Sequence, residues 1–270
     1  MKAAAVTRHD VRGLLESIVD NGAPYQANAV LAATRKIFNW GIENDIIATN
    51  PCHLIKQPQK LQRRDRVLTE SEIRTFWGKL DTAAMSDGTK LALRLQLVTA
   101  QRPGEVLGAC WEEFDLETSW WTVPAEHAKN KLSHRVPLSD LASDLLSQVR
   151  EQSRKSEFLF PYSKRGTKKP APIAVESLSH ALRRNTDHFA LKHFTPHDLQ
   201  RTAASQMTSA GVPRLVVSKL LNHVEPGVTA IYDRHSYDKE KRQALDAWAR
   251  KLTAIISGKK DNNVVGLARP

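Results

Sequence analysis

Three short stretches decide how this chain is read: Thr195-Pro196-His197-Asp198-Leu199-Gln200-Arg201, Leu220-Leu221-Asn222-His223 and Ile231-Tyr232-Asp233-Arg234. In the first, Thr195 is a natural N-cap, Pro196 suits the first helical position and Asp198 completes a capping box, which puts His197 in the first turn of a helix. Gln200 and Arg201 follow three and four residues later, near the face that carries His197. In the second, His223 follows a Leu-Leu pair, where a capping or satisfied core histidine is the ordinary expectation. In the third, Tyr232 stands nine residues after His223. A free phenol, with a pKa near 10, is a poor nucleophile at neutral pH. Nearby cations and a base are what would activate it. Tyr237 competes for that role but lies in a charged helix start, Ser236 to Arg242.

Working outward, Arg102 lies in Gln101-Arg102-Pro103-Gly104-Glu105. Pro103 favours a first helical position, so Arg102 sits at a helix start, where backbone N–H groups favour an anion. Its planar fork can hold two phosphate oxygens, and Glu105, one turn on, can orient it. A purely structural Arg–Glu pair fits the same residues. Segments 119–124 and 134–138 read as strands, with Lys129-Asn130-Lys131 in the turn between them.

The 270 residues carry 40 Lys and Arg against 29 Asp and Glu, a net charge of +11, which favours a polyanionic partner because phosphate contacts release counterions. No run of ~18 apolar residues is present, so no membrane partner is expected. Cys52 and Cys110 are the only cysteines and lack metal-ligand spacing. The expectation is a cytoplasmic protein with no metal and no cofactor.

Helices are expected over 7–21, opened by a Thr7/Asp10 capping box, and over about 25–44, with Val30, Leu31, Thr34, Ile37 and Phe38 along one side. Residues 56–67 are a basic linker in which Lys56, Lys60, Arg63, Arg64 and Arg66 face a single Asp65. Such a run suits a solvated connector and also one that crosses DNA phosphates. Thr69 and Glu72 form a second capping box, helices follow at about 88–101 and 103–110, and the pattern after 139 is mostly helical apart from a loop at 163–172. The fold class expected is mainly α with a small antiparallel β-sheet.

Taken together, the order of Arg102, Lys129, His197, Leu-Leu-Asn-His223 and Tyr232 resembles the tyrosine recombinase, or phage integrase, family. The resemblance implies a helical core-DNA-binding domain over 1–55, the linker over 56–67, a catalytic domain over 68–257 and a polar tail over 258–270. It implies that Tyr232 is the nucleophile, that Arg102 and His223 contact the scissile phosphate, that His197 assists proton transfer and that Lys129 protonates the leaving 5′ oxygen. Lys131 is the nearby competitor, and is also a candidate DNA contact. Double-stranded attachment-site DNA, a homotetramer on that DNA, and a directionality or DNA-bending protein are the implied partners. Prophage and island integrases of this type also carry an arm-site-binding domain ahead of these two. The expectations are therefore a shortened N-terminal part or a simpler recombinase. Residues 236–257 are candidates for contacts between protomers.

Two positions depart from the family pattern. Its second phosphate-binding arginine falls three residues after the first histidine, and here that residue is Gln200. Arg201 is the candidate substitute, although one step turns a helical side chain by ~100°. Asn222 stands where glycine is more usual, a change expected to matter less. Two rival readings remain: a recombinase fold that binds DNA without chemistry, and a helix-turn-helix regulator built from residues 202–223.

Overall fold

The computed structural model describes residues 2–60, 65–153, 156–162, 171–223 and 235–258. The chain divides into two compact units, Met1–Arg64 and Asp65–Pro270. Tyr232, Arg63 and Arg64 lie outside the described residues.

The first unit is a helical hairpin with a return strap. Helix α1 (Arg8–Asp20) opens on the expected capping box: the Thr7 hydroxyl accepts from the Asp10 N–H, and the Asp10 carboxylate accepts from the Thr7 N–H. Helix α2 (Pro24–Glu43) begins on a proline. Val11, Leu15, Ala27, Leu31, Phe38, Cys52 and Ile55 form the core. The side expected to be apolar is only partly buried: Ile37 is 66% exposed, while Asn28 and Gly41 face inward. Asn28 is buried because its amide closes a two-bond clasp with the backbone of Gln59. Lys56 and Lys60 are exposed.

The second unit is built around one helix. Helix α3 (Glu70–Lys79) starts on the Thr69/Glu72 box, and α4 (Asp87–Thr99) follows. Leu91, Ala92, Leu93, Leu95, Leu97 and Val98 of α4 are all buried, and a helix apolar on nearly every side must be wrapped by others. Those neighbours are α5 (Pro103–Gly108), α6 (Asp140–Ser153), α7 (Val175–Arg184), α9 (Pro196–Ser209) and α11 (Asp238–Ser257). Trp248 of α11 is buried and donates its indole N–H to the Leu97 carbonyl, so this large core side chain is also satisfied. Helices α8 (Thr186–Phe189) and α10 (Arg214–Leu220) complete the described helices.

An antiparallel sheet in the order β1 (Phe114–Asp115), β2 (Trp120–Val123) and β3 (His134–Pro137) flanks this core, with Trp121 opposite Val136 and Val123 opposite His134. β2 and β3 match the expected strands, whereas β1 is too short to leave a periodic signal. A minor pair, β4 (Pro161–Tyr162) and β5 (Ala171–Pro172), lies further on. The mainly α class with small antiparallel sheets is therefore the observed one. Val216, Val217 and Leu220 of α10 are buried in the core. A helix read as entering a DNA groove would present them outward, so the helix-turn-helix reading loses its second helix.

Arg66, expected as a DNA contact, has a partner within its own unit. Its guanidinium forms a fork with Glu72, Nη2 to Oε1 at 2.5 Å and Nη1 to Oε2 at 3.0 Å, and the arginine side chain is 17% exposed. That pairing holds the Glu72 carboxyl down at about 2. Glu72 thus caps α3 and anchors Arg66 to the same unit.

Candidate active site

Helix α4 ends at Ala100, whose φ of 58° is left-handed, and the reversal delivers Arg102 to the N-cap of α5. There the Arg102 Nη1 donates to Glu105 Oε1 at 2.8 Å, and the Arg102 backbone N–H donates to Glu105 Oε2 at 3.1 Å. Glu105 is buried, so this carboxylate orients the guanidinium from beneath, in the manner expected from the sequence.

The capping box at Thr195 and Asp198 is also present, and it sets His197 in the first turn of α9 with an exposed side chain. Partial desolvation and the positive charges of Lys129, Arg201 and Arg102 hold the His197 pKa below its usual 6.5, an effect Asp198 opposes. Partial desolvation, and then the Arg102 charge, push His223 down in the same direction, opposed by Glu105. Arg102 is therefore the shared neighbour of this group: its charge reaches both His197 and His223, and that of Lys129 reaches His197. They come from the α5 cap, the β2–β3 loop, the start of α9 and the turn after α10. Tyr232 lies outside the described residues.

Two of the remaining cations have local partners. Arg201 pairs with the buried Asp198, one turn back on its own helix. Lys131, at φ 59°, donates to the Glu126 carbonyl within its own loop. Lys129 is exposed.

Gln200 turns inward. It is buried, and its amide donates to the Ala100 carbonyl at 3.0 Å. The residue expected to be a gap in the site is thus a clamp on the reversal that carries Arg102, although it adds no charge.

Sequence reasoning missed a polar network beneath these residues. His134 is 8% exposed, and burial is the main reason its pKa falls to about 4, with Lys241 and Arg102 adding to the effect. The neutral ring lies 3.1 Å from Gln101 Oε1 through Nε2 and 2.9 Å from the Asn222 amide through Nδ1. Because the folded value lies below the unfolded one, the unfolded chain takes up a proton that the folded chain refuses between about pH 6.5 and 4. Stability therefore rises with pH through that window and is complete above it, with His134 contributing ~3 kcal/mol. Urea unfolding at pH 7 and pH 4.5 is expected to show this loss in the wild type. A His134→Gln protein should have a shallower pH dependence, and an equal slope would contradict the assignment.

Among the described residues, no group of three or more His, Cys, Asp or Glu side chains is placed to hold a metal ion. Within the same residues, no helix is long and apolar enough to cross a membrane.

With the fold and these side chains in view, comparison with known proteins is direct. The prophage integrase IntA of Escherichia coli K12 is 28% identical over 247 residues, which is 87% of this chain and 58% of that protein. The XerD tyrosine recombinase of Lacticaseibacillus casei is 25% identical over 233 residues, 82% of this chain and 76% of that one. Against the two Escherichia coli K12 prophage integrases IntA and IntZ, this chain spans 58% and 61% of their lengths. Lambda integrase, solved as a dimer bound to a COC′ core site, shares the fold with a TM-score of 0.65 at 19% identity, covering 83% of this chain and 81% of that one. The model of the phage integrase family matches residues 66–239, well over half of the sequence. On that match, and on the order of residues that the fold gathers, the chain belongs to the phage integrase family.

Proposed function

We propose that this protein is a site-specific DNA recombinase that cuts and rejoins strands through Tyr232. The observation that carries this reading is the convergence of His197 and His223 on Arg102, with Lys129 beside His197 and both histidines held toward the neutral form by partial desolvation and then by these charges. The Tyr232 phenolate attacks the scissile phosphorus and the bond to the 5′ oxygen breaks. Lys129 supplies the proton that this oxygen takes, leaving a 3′-phosphotyrosine and a free 5′ hydroxyl. A 5′ hydroxyl from the partner strand then attacks, restores the phosphodiester and returns the phenol. His197, whose pKa is held below its usual value chiefly by partial desolvation, suits acceptance of the tyrosine proton. Arg102 offsets the charge that grows on the phosphate and His223 donates a hydrogen bond to it, which needs neither ATP nor a metal.

Residues 1–55 are assigned to core-site DNA, with Lys56 and Lys60 following the backbone from the linker and Arg63 and Arg64 joining them. The substrate is double-stranded attachment-site DNA, held in the cytoplasm by a homotetramer with a directionality or DNA-bending protein as an accessory. One fold neighbour, lambda integrase, has been solved as a tetramer bound to a Holliday junction. Integration or excision of a mobile element is the outcome this chemistry serves. The test is recombination between two plasmid-borne copies of DNA that the protein selects from a random library, run in EDTA. Recombinants with wild type and none with Tyr232→Phe are expected; equal yields from both would refute the assignment.

A second reading has its own observation. Gln200 brings no charge to the phosphate, and Arg201, its candidate substitute, is paired with Asp198. On that reading the protein binds DNA in the recombinase manner and cleaves it slowly or not at all.

A further inference from the structure

The residues gathered at the site stand on separate elements, and something must fix their separation. Lys129 is the hardest to place, because residues 124–133 form a loop that leaves the sheet between β2 and β3. One side chain reaches that loop from the turn after α10. Asn222, in the left-handed conformation at φ 50°, points its amide into the hairpin. Its two hydrogens are shared among the Leu132 carbonyl at 2.8 Å, His134 Nδ1 at 2.9 Å and Asn130 Oδ1 at 3.1 Å. Asn130 answers with its own amide, donating to the Asn222 carbonyl at 2.8 Å.

The ring closes through His134. Gln101 Nε2 donates to the Thr99 and Leu220 carbonyls, so its Oε1 is the acceptor left for His134. His134 must then carry its proton on Nε2, and Nδ1 is free to accept from Asn222. One circuit thus joins Gln101, His134, Asn222 and Asn130, with the Leu220 carbonyl completing it. Each amide member is the chain neighbour of a site residue: Gln101 of Arg102, Asn222 of His223, and Asn130 of Lys129.

We propose that Asn222, His134 and Gln101 are positioning residues that hold the Lys129 loop at a set distance from Arg102 and His223. The catalytic consequence rests on the recombinase reading; the positioning itself does not. Lys129 acts on a leaving oxygen only if its ammonium arrives within hydrogen-bond reach while the arginine and histidine hold the same phosphate. A loop free to drift by an ångström loses much of that benefit. Asn222 therefore does more than occupy a turn that glycine would also fit.

Asn222→Gly tests this cleanly, because glycine adopts the same positive φ without strain and removes only the amide. Two measurements on the full chain separate positioning from function. Hydrogen exchange of residues 127–135 is expected to quicken by ~10-fold or more in Asn222→Gly, while α4 keeps its protection. Nitrogen NMR of wild-type histidine is expected to show His134 protonated on Nε2 alone. Unchanged exchange in the hairpin, or a proton on Nδ1, overturns the proposal.

The kinetic arm uses DNA selected by wild-type binding, nicked to trap the covalent adduct. Adduct formation is expected to fall by ~10–100-fold in Asn222→Gly with DNA affinity unchanged. His134→Gln, which keeps one donor and one acceptor, should retain most of it. Loss of affinity in step with rate would overturn the positioning role. If wild type forms no adduct at all, the recombinase reading fails there, and the exchange and NMR results still decide the network.

Discussion

Gln200→Arg is expected to raise the rate of covalent DNA cleavage by ~10²–10³, the scale of one preorganised donor restored to a developing anion. The geometry makes this substitution permissive. The Gln200 amide nitrogen is bonded to Cδ and donates to the Ala100 carbonyl. In arginine, Nε is bonded to that same carbon and also carries a hydrogen. The new side chain can therefore keep the clamp on Ala100 while its two terminal nitrogens extend beyond it. Arg201, the candidate substitute, is paired with Asp198 and is largely on the surface. The measurement is single-turnover adduct formation on nicked DNA by wild type and Gln200→Arg at matched DNA occupancy. A rate unchanged by the substitution would show that the phosphate is already neutralised by another group. The same experiment separates the two readings, since a DNA-binding protein without chemistry gains an activity it lacked.

Arg102→Ala is expected to fail twice. It removes the guanidinium proposed to hold the phosphate, and it leaves the buried Glu105 carboxylate with a backbone N–H as its remaining partner. Breaking one side of a buried pair costs ~3–5 kcal/mol, enough to lower the melting temperature of a unit of this size by ~10 °C. Activity lost through instability would look the same, so the second substitution matters. Arg102→Ala with Glu105→Gln removes the stranded charge and is expected to recover most of the melting temperature. Adduct formation should stay absent in the double variant. Recovery of both together would mean that Arg102 serves only as structural support.

The parts of this molecule legible in the sequence are those set by neighbours in the chain. Thr7 with Asp10, Thr69 with Glu72, and Thr195 with Asp198 each mark a helix start, because a capping box is closed within four residues. The position of His197 follows from the third of these, and the attachment of Arg102 to Glu105 follows from one helical turn. The network under the site was not legible, because its partners are distant: Gln200 meets a carbonyl 100 residues away, and Asn222 meets Asn130 from 92 residues away. One signal was present. His134 and Val136 share the inward face of β3, and an inward histidine in a strand needs polar partners. Arg66 shows what composition hides: a charge run looks alike whether its members face solvent or, like Arg66, meet a carboxylate six residues on.

The central claim is that Tyr232 becomes joined to DNA. It is tested by incubating the protein in EDTA with nicked duplexes that it binds, denaturing, digesting and identifying the DNA-linked peptide by mass. We predict a 3′-phosphotyrosine on the peptide that carries Tyr232, formed faster by Gln200→Arg and absent in Tyr232→Phe. DNA bound tightly with no linked peptide from either wild type or Gln200→Arg, or a link that maps to Tyr237, would contradict the account.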